Sequence, residues 1–331
     1  MPPDLAELVT VLPALREAQV VVVGDLVADE YVYGETERIS REAPVLIVRY
    51  ESSELKAGCA GNAARNLAAL GVKVRVVGLV GDDALGAALL EVLEEGGADL
   101  SRVQRVKGRA TEAKTRILAG GRSTRRQQML RLDRAPQPVP PAVMRRLVKD
   151  LETAARGADA VLASDYGSGV LAHDSIEALR RVKRRGTPVC VDSRYQLAAF
   201  THLTMVKPNE PELEAAAGVP LGRPGGLEKA ARALLRKVAC EELLVTRGHN
   251  GMSLFRPGER PVHLPAHGSH DAVDVTGAGD TVAAAFCAAV AAGAGAVAAA
   301  RLANVAGALV VQKPGTATVS REEILAELLR G

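Results

Sequence analysis

The sequence predicts an α/β protein: a doubly wound, mostly parallel sheet with helices on both faces and a small β lid over the strand ends. Two observations carry this. Short continuous apolar runs alternate with amphipathic helical segments, the pattern of βαβ units whose strands are buried on both faces. Two polar stretches, 31–55 and 111–133, break that pattern with short alternating runs such as Val45–Tyr50 and Thr115–Ala119. They read as antiparallel strands inserted between units of the parallel sheet. With 331 residues, 47% hydrophobic and 24% charged, the chain can bury a sizeable core. It is read as one unit over 1–331, with the lid as an insertion.

The first strand is Gln19–Gly24, an unbroken apolar run ending in Gly-Asp. Asn62–Leu70 is an amphipathic helix closed by Gly71, and Lys73–Gly81 is the next strand. Asp83–Glu95 reads as a helix ending at Gly96-Gly97. The proline-rich run Ala135–Pro141 is a stiff connector before a helix that begins near Ala142. Further buried strands fall at Ala160–Ser164, Pro188–Asp192, Leu203–Lys207 and Glu242–Thr246, with helices at Asp174–Arg185, Leu227–Val238 and Arg321–Leu329. From Val282 to Ala300 no charge occurs for 19 residues, near membrane-spanning length. The run is mostly Ala and Gly, however, and Gly293 and Gly295 divide it, so it reads as two buried, closely packed helices.

A formal charge of +3 is too small to argue for nucleic acid or a membrane surface as partner. The four cysteines show no C-x-x-C pairing, and six scattered histidines show no H-E-x-x-H, so zinc chemistry finds no support. Residues 1–18 carry charges and no leader-like apolar core, so a cytoplasmic location is expected.

The strongest local signal is Asp274-Val275-Thr276-Gly277-Ala278-Gly279-Asp280-Thr281, directly before an apolar helix. Small residues at a helix start leave N–H groups bare, and the helix dipole adds positive potential, so the turn suits an anion. Asp280 could be a simple first-turn cap. A carboxylate beside an anion hole can also take a hydroxyl proton while the hole neutralises a transferring phosphoryl group.

This string resembles the C-terminal signature of the ribokinase-like (PfkB) carbohydrate kinases, whose last Asp is the catalytic base. Their other signature is similar to Ala57-Gly58-Cys59-Ala60-Gly61-Asn62-Ala63-Ala64-Arg65-Asn66, although Ala57 or Cys59 stands where a second Gly is usual. The resemblance implies Asp280 as base with Gly277, Ala278 and Gly279 as anion hole, and Asp29, Gly58 and Asn62 as sugar ligands. It implies Asn209 and Glu212 as the N-x-x-E pair that organises Mg²⁺ and phosphate, though Asn209 and Glu212 also fit a helix capping box. Thr246, Gly248 and Gly251 would receive the nucleotide phosphates, and Asn304 would lie beside the adenine. ATP and Mg²⁺ are thus the implied cofactors, Mg²⁺ reaching Glu212 through water; a monovalent cation such as K⁺ is left open.

Within the family, substrate-side segments look most like the branch that phosphorylates a heptose 7-phosphate. These are 24–34, 38–45, Lys114-Thr115-Arg116, 127–133 and 164–169, the last containing Asp165. Arg38, Arg41, Lys114, Arg116 and Arg131 suit a distal phosphate, because Arg offers a bidentate fork; Lys207 and Arg194 are weaker candidates. Gly120–Arg126 is a Gly/Arg-rich departure that could alter substrate handling. The expected partners are a sugar or sugar-phosphate substrate, a second copy of the chain paired through the lid strands, and a separate adenylyltransferase. The chain ends at Gly331 after a closing helix, so a kinase alone is expected.

Rival readings lack their residues. A nicotinamide-binding turn needs G-x-G-x-x-G, and Gly24–Asp29 lacks it. A P-loop needs Gly-Lys, which occurs nowhere. Thr246-Arg247-Gly248-His249 matches the T-x-G-H of nucleotidylyltransferases, but only 82 residues follow it. A non-catalytic sugar sensor would retain no need for an intact Gly277–Asp280 turn.

Overall fold

The computed structural model describes residues 3–121, 126–135, 137–268 and 272–330. Helix α1 (Pro3–Ala14) precedes β1 (Gln19–Gly24). The chain then makes a long ribbon, β2 (Leu26–Ile39) and β3 (Leu46–Cys59), and enters α2 (Ala60–Ala69), β4 (Lys73–Gly81), α3 (Ala84–Glu95) and β5 (Asp99–Val106). A second excursion, β6 (Ala113–Gly120) and β7 (Gln127–Arg134), leads to α4 (Pro141–Ala154) and β8 (Ala160–Asp165). Next come α5 (His173–Arg184), β9 (Val189–Ser193), β10 (Met205–Val206), α6 (Glu210–Ala217), α7 (Gly226–Val238) and β11 (Glu242–Thr246). The chain closes with β12 (Met252–Phe255), β13 (Val262–Leu264), α8 (Ala278–Ala291), α9 (Ala296–Val310) and α10 (Arg321–Arg330).

Nine strands form the main sheet in the order β13-β12-β11-β10-β9-β8-β1-β4-β5. From β11 to β5 the pairs are parallel; β12 is reversed and pairs antiparallel with both β11 and β13. The run of valines in β1 follows from this central place. Val20 and Val22 pack into one apolar layer with α1, α2, α8 and α9, and Val21 and Val23 into the other with α4, α5 and α7. The chain order reverses between β1 and β8, and in such sheets the crevice beyond the strand ends at that point receives ligands. Asp25 follows β1 there, and Asp165 ends β8.

The uncharged run does divide in two. Helices α8 and α9 flank Gly293 and Gly295, and alanines 283–285, 288 and 289 are buried between α9, α2 and the sheet. Among the described residues no helix is long and apolar enough to cross a membrane.

The lid is a four-stranded sheet in the order β3-β2-β6-β7. The sequence reading makes its strands antiparallel throughout, whereas β2 and β6 pair in parallel, Asp29 opposite Lys114 and Tyr31 opposite Arg116. The reason is topological: both strands leave the same end of the main sheet, β2 after β1 and β6 after β5, and so travel the same way. The segment expected as strand Leu203–Lys207 pairs only at Met205 and Val206. The helix expected near Ala142 starts one residue earlier, with Pro141 in its first turn, where a missing N–H costs nothing. Of the Gly120–Arg126 departure, residues 122–125 lie outside the described residues.

Candidate active site

Asp280 lies in the first turn of α8 and is 3% exposed. It does not cap the helix. Gly277 is the N-cap, at φ 77°, and the Asp280 carboxylate is turned the other way. Its Oδ2 accepts from Asn62 Nδ2 at 2.9 Å and its Oδ1 from the Tyr166 hydroxyl at 2.9 Å. Burial, and secondarily the negative charge of Asp192, push its carboxyl up to about 7, against the pull of Asn62, Tyr166 and Lys207. A carboxyl that titrates near neutrality, between two donors, is suited to accept a proton.

The small residues around it are fixed by contact. A Cβ on Gly277 would sit 2.6 Å from Asn62 Nδ2, and the left-handed φ excludes most side chains as well. Asn62 itself is fully buried, and Asn66, one turn on, sets its orientation by donating to Asn62 Oδ1 at 3.3 Å. Thr281 in turn donates to Asn66 Oδ1 at 3.1 Å. The side chain expected to hold sugar hydroxyls therefore aims its amide at Asp280. In the anion hole, the Ala278 N–H already donates to Val275 O at 3.2 Å. That leaves the first-turn N–H groups of Gly279 and Asp280 without an intrahelical acceptor.

Beside this turn opens a cavity of about 880 Å³. The structure brings to its wall every residue expected on the nucleotide side: Asn209, Glu212, Thr246, Gly248, Gly251 and Asn304. Ala278 and Gly279 line it too. Asn209 and Glu212 form the capping box of α6, Asn209 Oδ1 accepting from Glu212 N at 2.8 Å and Glu212 Oε2 from Asn209 N at 2.9 Å. The capping and functional readings thus coexist, since the box leaves Glu212 on the cavity wall. Asn304 donates to Pro265 O at 2.7 Å.

Lys207 and Asp192 pair in the same wall at 3.0 Å, both nearly buried. Asp192 and Glu212 hold the Lys207 ammonium charged against the cost of burial. A Cβ on Gly279 would lie 3.5 Å from Lys207 Nζ, so this cation faces the helix start and not the lid. That places it on the nucleotide side and removes it from the distal-phosphate candidates.

On the lid side, Asp29 is buried and its Oδ1 binds Arg116 at 2.6 Å. Arg116 also stacks 5.2 Å from the Tyr31 ring centre. Gly58 lies against Asp29 so closely that a Cβ there would be 2.9 Å from the carboxyl carbon. Of the two positions where a second glycine is usual, Cys59 is the telling one, because its φ is +55°. A cysteine in that backbone region stores on the order of 1–3 kcal/mol of strain. Lys114 Nζ lies 3.7 Å from Cys59 Sγ and 5.3 Å from the Tyr166 ring centre.

Arg194 also lines the cavity, whereas the other candidates are not gathered here. Arg38, near the end of β2, and Arg41, on the β2–β3 turn, are exposed, and Arg131 is exposed and paired with Asp133 at 2.8 Å. Asp165 is buried and accepts from Ser193 Oγ (2.6 Å) and Gly167 N (3.1 Å), which braces β8 against β9.

Four residues of the site carried no assigned role in the sequence: Tyr166, Asn66, Asp25 and Asp192. Asp192 and Lys207 had a legible signal, a charged residue at the end of an apolar strand of a parallel sheet. Asn66 had another, an Asn four residues from Asn62 on an alanine-rich helix. Nothing local marks Tyr166, whose role depends on a contact across 114 positions.

A ribbon lid, an N-terminal helix turn with a buried carboxylate, and a nucleotide-sized cavity beyond the ends of β9, β10 and β11 define an ATP-dependent sugar kinase. The chain belongs to the pfkB family of carbohydrate kinases, whose description matches residues 17–323. It is 40% identical over 308 residues to the bifunctional protein HldE of Trichlorobacter lovleyi, which covers 92% of this chain and 62% of that protein. To HldE of Methylococcus capsulatus it is 42% identical over 320 residues, 95% of this chain and 64% of the other. The chain thus spans somewhat under two thirds of the length of these relatives. Among solved structures, Arabidopsis thaliana ribokinase complexed with ribose and ATP superposes with a TM-score of 0.74 at 24% identity, covering 94% of this chain and 98% of that one. Phosphofructokinase-2 of Escherichia coli in complex with potassium gives 0.76 at 19%, covering 95% and 98%. At those identities the structures attest the fold.

Proposed function

We propose that the protein transfers the γ-phosphoryl group of ATP to the anomeric hydroxyl of D-glycero-D-manno-heptose 7-phosphate, giving the 1,7-bisphosphate. The observation that carries the phosphoryl transfer is the buried Asp280 carboxylate, held between two donors where the α8 turn meets the 880 Å³ cavity. The sugar is supported by the likeness of residues 24–34, 38–45, 114–116 and 127–133 to heptose phosphate kinases, together with about 40% identity to the HldE proteins.

In this reading the acceptor hydroxyl lies between Asp29 and Asp280. Asp280 takes its proton as the oxygen attacks phosphorus, and the Gly279 and Asp280 N–H groups offset charge on the phosphoryl oxygens. Lys207 adds a fixed positive charge from the nucleotide side. Glu212 and Asp192 supply hard oxygen donors on the same wall. Among the described residues no three His, Cys, Asp or Glu side chains form a metal cluster. That donor set fits Mg²⁺, which keeps several waters and binds chiefly through phosphates; when bound it would neutralise charge on the nucleotide. Residues 1–331 account for the kinase reaction, and the adenylyl transfer that follows in ADP-heptose synthesis belongs to a separate catalytic unit.

ADP release measured over a panel of sugars and sugar phosphates tests this. The heptose 7-phosphate should give the highest kcat/KM, and a clear preference for fructose 6-phosphate or a nucleoside would overturn the substrate while leaving the kinase.

A homodimer through the lid belongs to the same reading. Ile39, Val45, Leu46, Tyr50, Leu130 and Leu132 are each about half exposed or more, all on or beside the lid strands. Strands β3 and β7 are its open edges. Sedimentation should show a dimer, and Leu130→Asp with Leu132→Asp should dissociate it; a monomeric wild type would refute the pairing.

A further inference from the structure

We propose that Tyr166 is a positioning residue for Asp280: its hydroxyl, carried on a loop that Asp25 ties down, fixes the carboxylate in the orientation and charge state that accept a proton. The inference rests on Asp280 being the base of the kinase reaction.

The loop after β8 is gathered from beneath. The buried Asp25 carboxylate accepts from three backbone N–H groups, Tyr166 at 2.7 Å, Ser168 at 3.2 Å and Val170 at 3.3 Å. Asp165 Oδ1 takes a fourth, from Gly167. Tyr166 is therefore delivered by a rigid turn at the switch point, and its phenol O–H is spent on Asp280 Oδ1. Lys114 stands over one face of its ring. Because Asn62 holds Oδ2, each carboxylate oxygen has one fixed donor and keeps a lone pair for the incoming proton.

The charge balance around Asp280 explains what this contact does. Asp192 on β9 disfavours the ionised form, Lys207 after β10 favours it, and the buried Cys59 thiol at the end of β3 stays protonated. Burial is the largest influence and acts against ionisation. The Asn62 amide, the Tyr166 hydroxyl and the Lys207 charge oppose it. Removing its O–H leaves a carboxylate more easily protonated, hence a base lost at higher pH.

The test is the pH profile of kcat for Tyr166→Phe in the full-length protein. The acceptor is D-glycero-D-manno-heptose 7-phosphate, or whichever panel sugar the wild type phosphorylates. The acid limb should move up by about one to two pH units. Turnover at pH 7 should drop about tenfold and return to within about twofold of wild type at pH 9, with the KM for ATP unchanged. Incorporation of 3-fluorotyrosine at position 166, a stronger donor of nearly the same size, should move the limb the other way. A profile that superposes on wild type, or a loss equal at every pH, overturns the proposal. A second arm needs no substrate: Tyr166→Phe should alter the pH dependence of thermal unfolding when Asp280 is present and not in an Asp280→Asn background. If no sugar is phosphorylated the kinase reading fails, and this second arm still decides Tyr166.

Discussion

Asp280→Asn is expected to lower kcat by about 10²–10⁴-fold, the range for loss of a general base, with the affinity for ATP close to wild type. The substitution preserves size, and its amide oxygen can still accept from Asn62 while its NH₂ donates to the Tyr166 hydroxyl, which can act as acceptor. Stability separates this outcome from simple damage. In the folded protein the Asp280 carboxyl titrates near 7, against 3.8 for an unperturbed group. The folded state thus holds a proton that the unfolded chain has released between about pH 4 and 7. The associated stability is full below that window, declines through it as pH rises, and is gone above about 7. Asn carries no such titration. The variant should therefore unfold at a higher temperature than wild type at pH 8, with the difference closing toward pH 4.5. Calorimetry at the two pH values and steady-state kinetics check both halves. An Asn variant that turns over normally, or is inactive only because it unfolds early, makes Asp280 a structural residue.

The main sheet was legible because its strands are buried on both sides and so spell continuous apolar runs, as in Val20–Val23. The lid was legible as β structure by alternation, but the parallel pairing of β2 with β6 was not, because two strands some 80 residues apart carry no local mark of relative direction. Short β10 was overestimated for a related reason: the flanking residues are buried and bond to the neighbouring strands, Thr204 N to Val189 O and Lys207 N to Val191 O, yet only Met205 and Val206 carry the regular ladder.

Within the site, residues read from the nucleotide-side motifs line one cavity, since all but Asn304, midway along α9, sit at a strand end, turn or helix start. The lid cations do not behave as one cluster. Exposed Arg41 and paired Arg131 were indistinguishable in sequence from Arg116, because nothing local states which arginine meets a buried carboxylate. The same limitation hid Tyr166 and the hydrogen bond by which Asp165 ties the ends of β8 and β9 together.

The Asp29–Arg116 pair gives the second large expectation, through the glycine packed against it. Gly58→Ala would bring a methyl group against Asp29, 2.9 Å from its carboxyl carbon, and Asp29 cannot swing freely because Arg116 grips it at 2.6 Å. The methyl can be accommodated only by dislodging the carboxylate. The acceptor KM should rise about ten- to a hundredfold, the scale of a lost charged hydrogen bond worth about 1.5–3 kcal/mol, while the KM for ATP holds. Arg116→Ala should weaken the acceptor similarly but cost more stability, on the order of 3 kcal/mol, because it strands a buried carboxylate that Gly58→Ala merely displaces. Urea unfolding of the two variants separates these cases, and the double substitution should fall short of additivity because both act on Asp29. A Gly58→Ala enzyme with wild-type acceptor KM would mean that Asp29 holds the lid together and leaves the sugar to other residues.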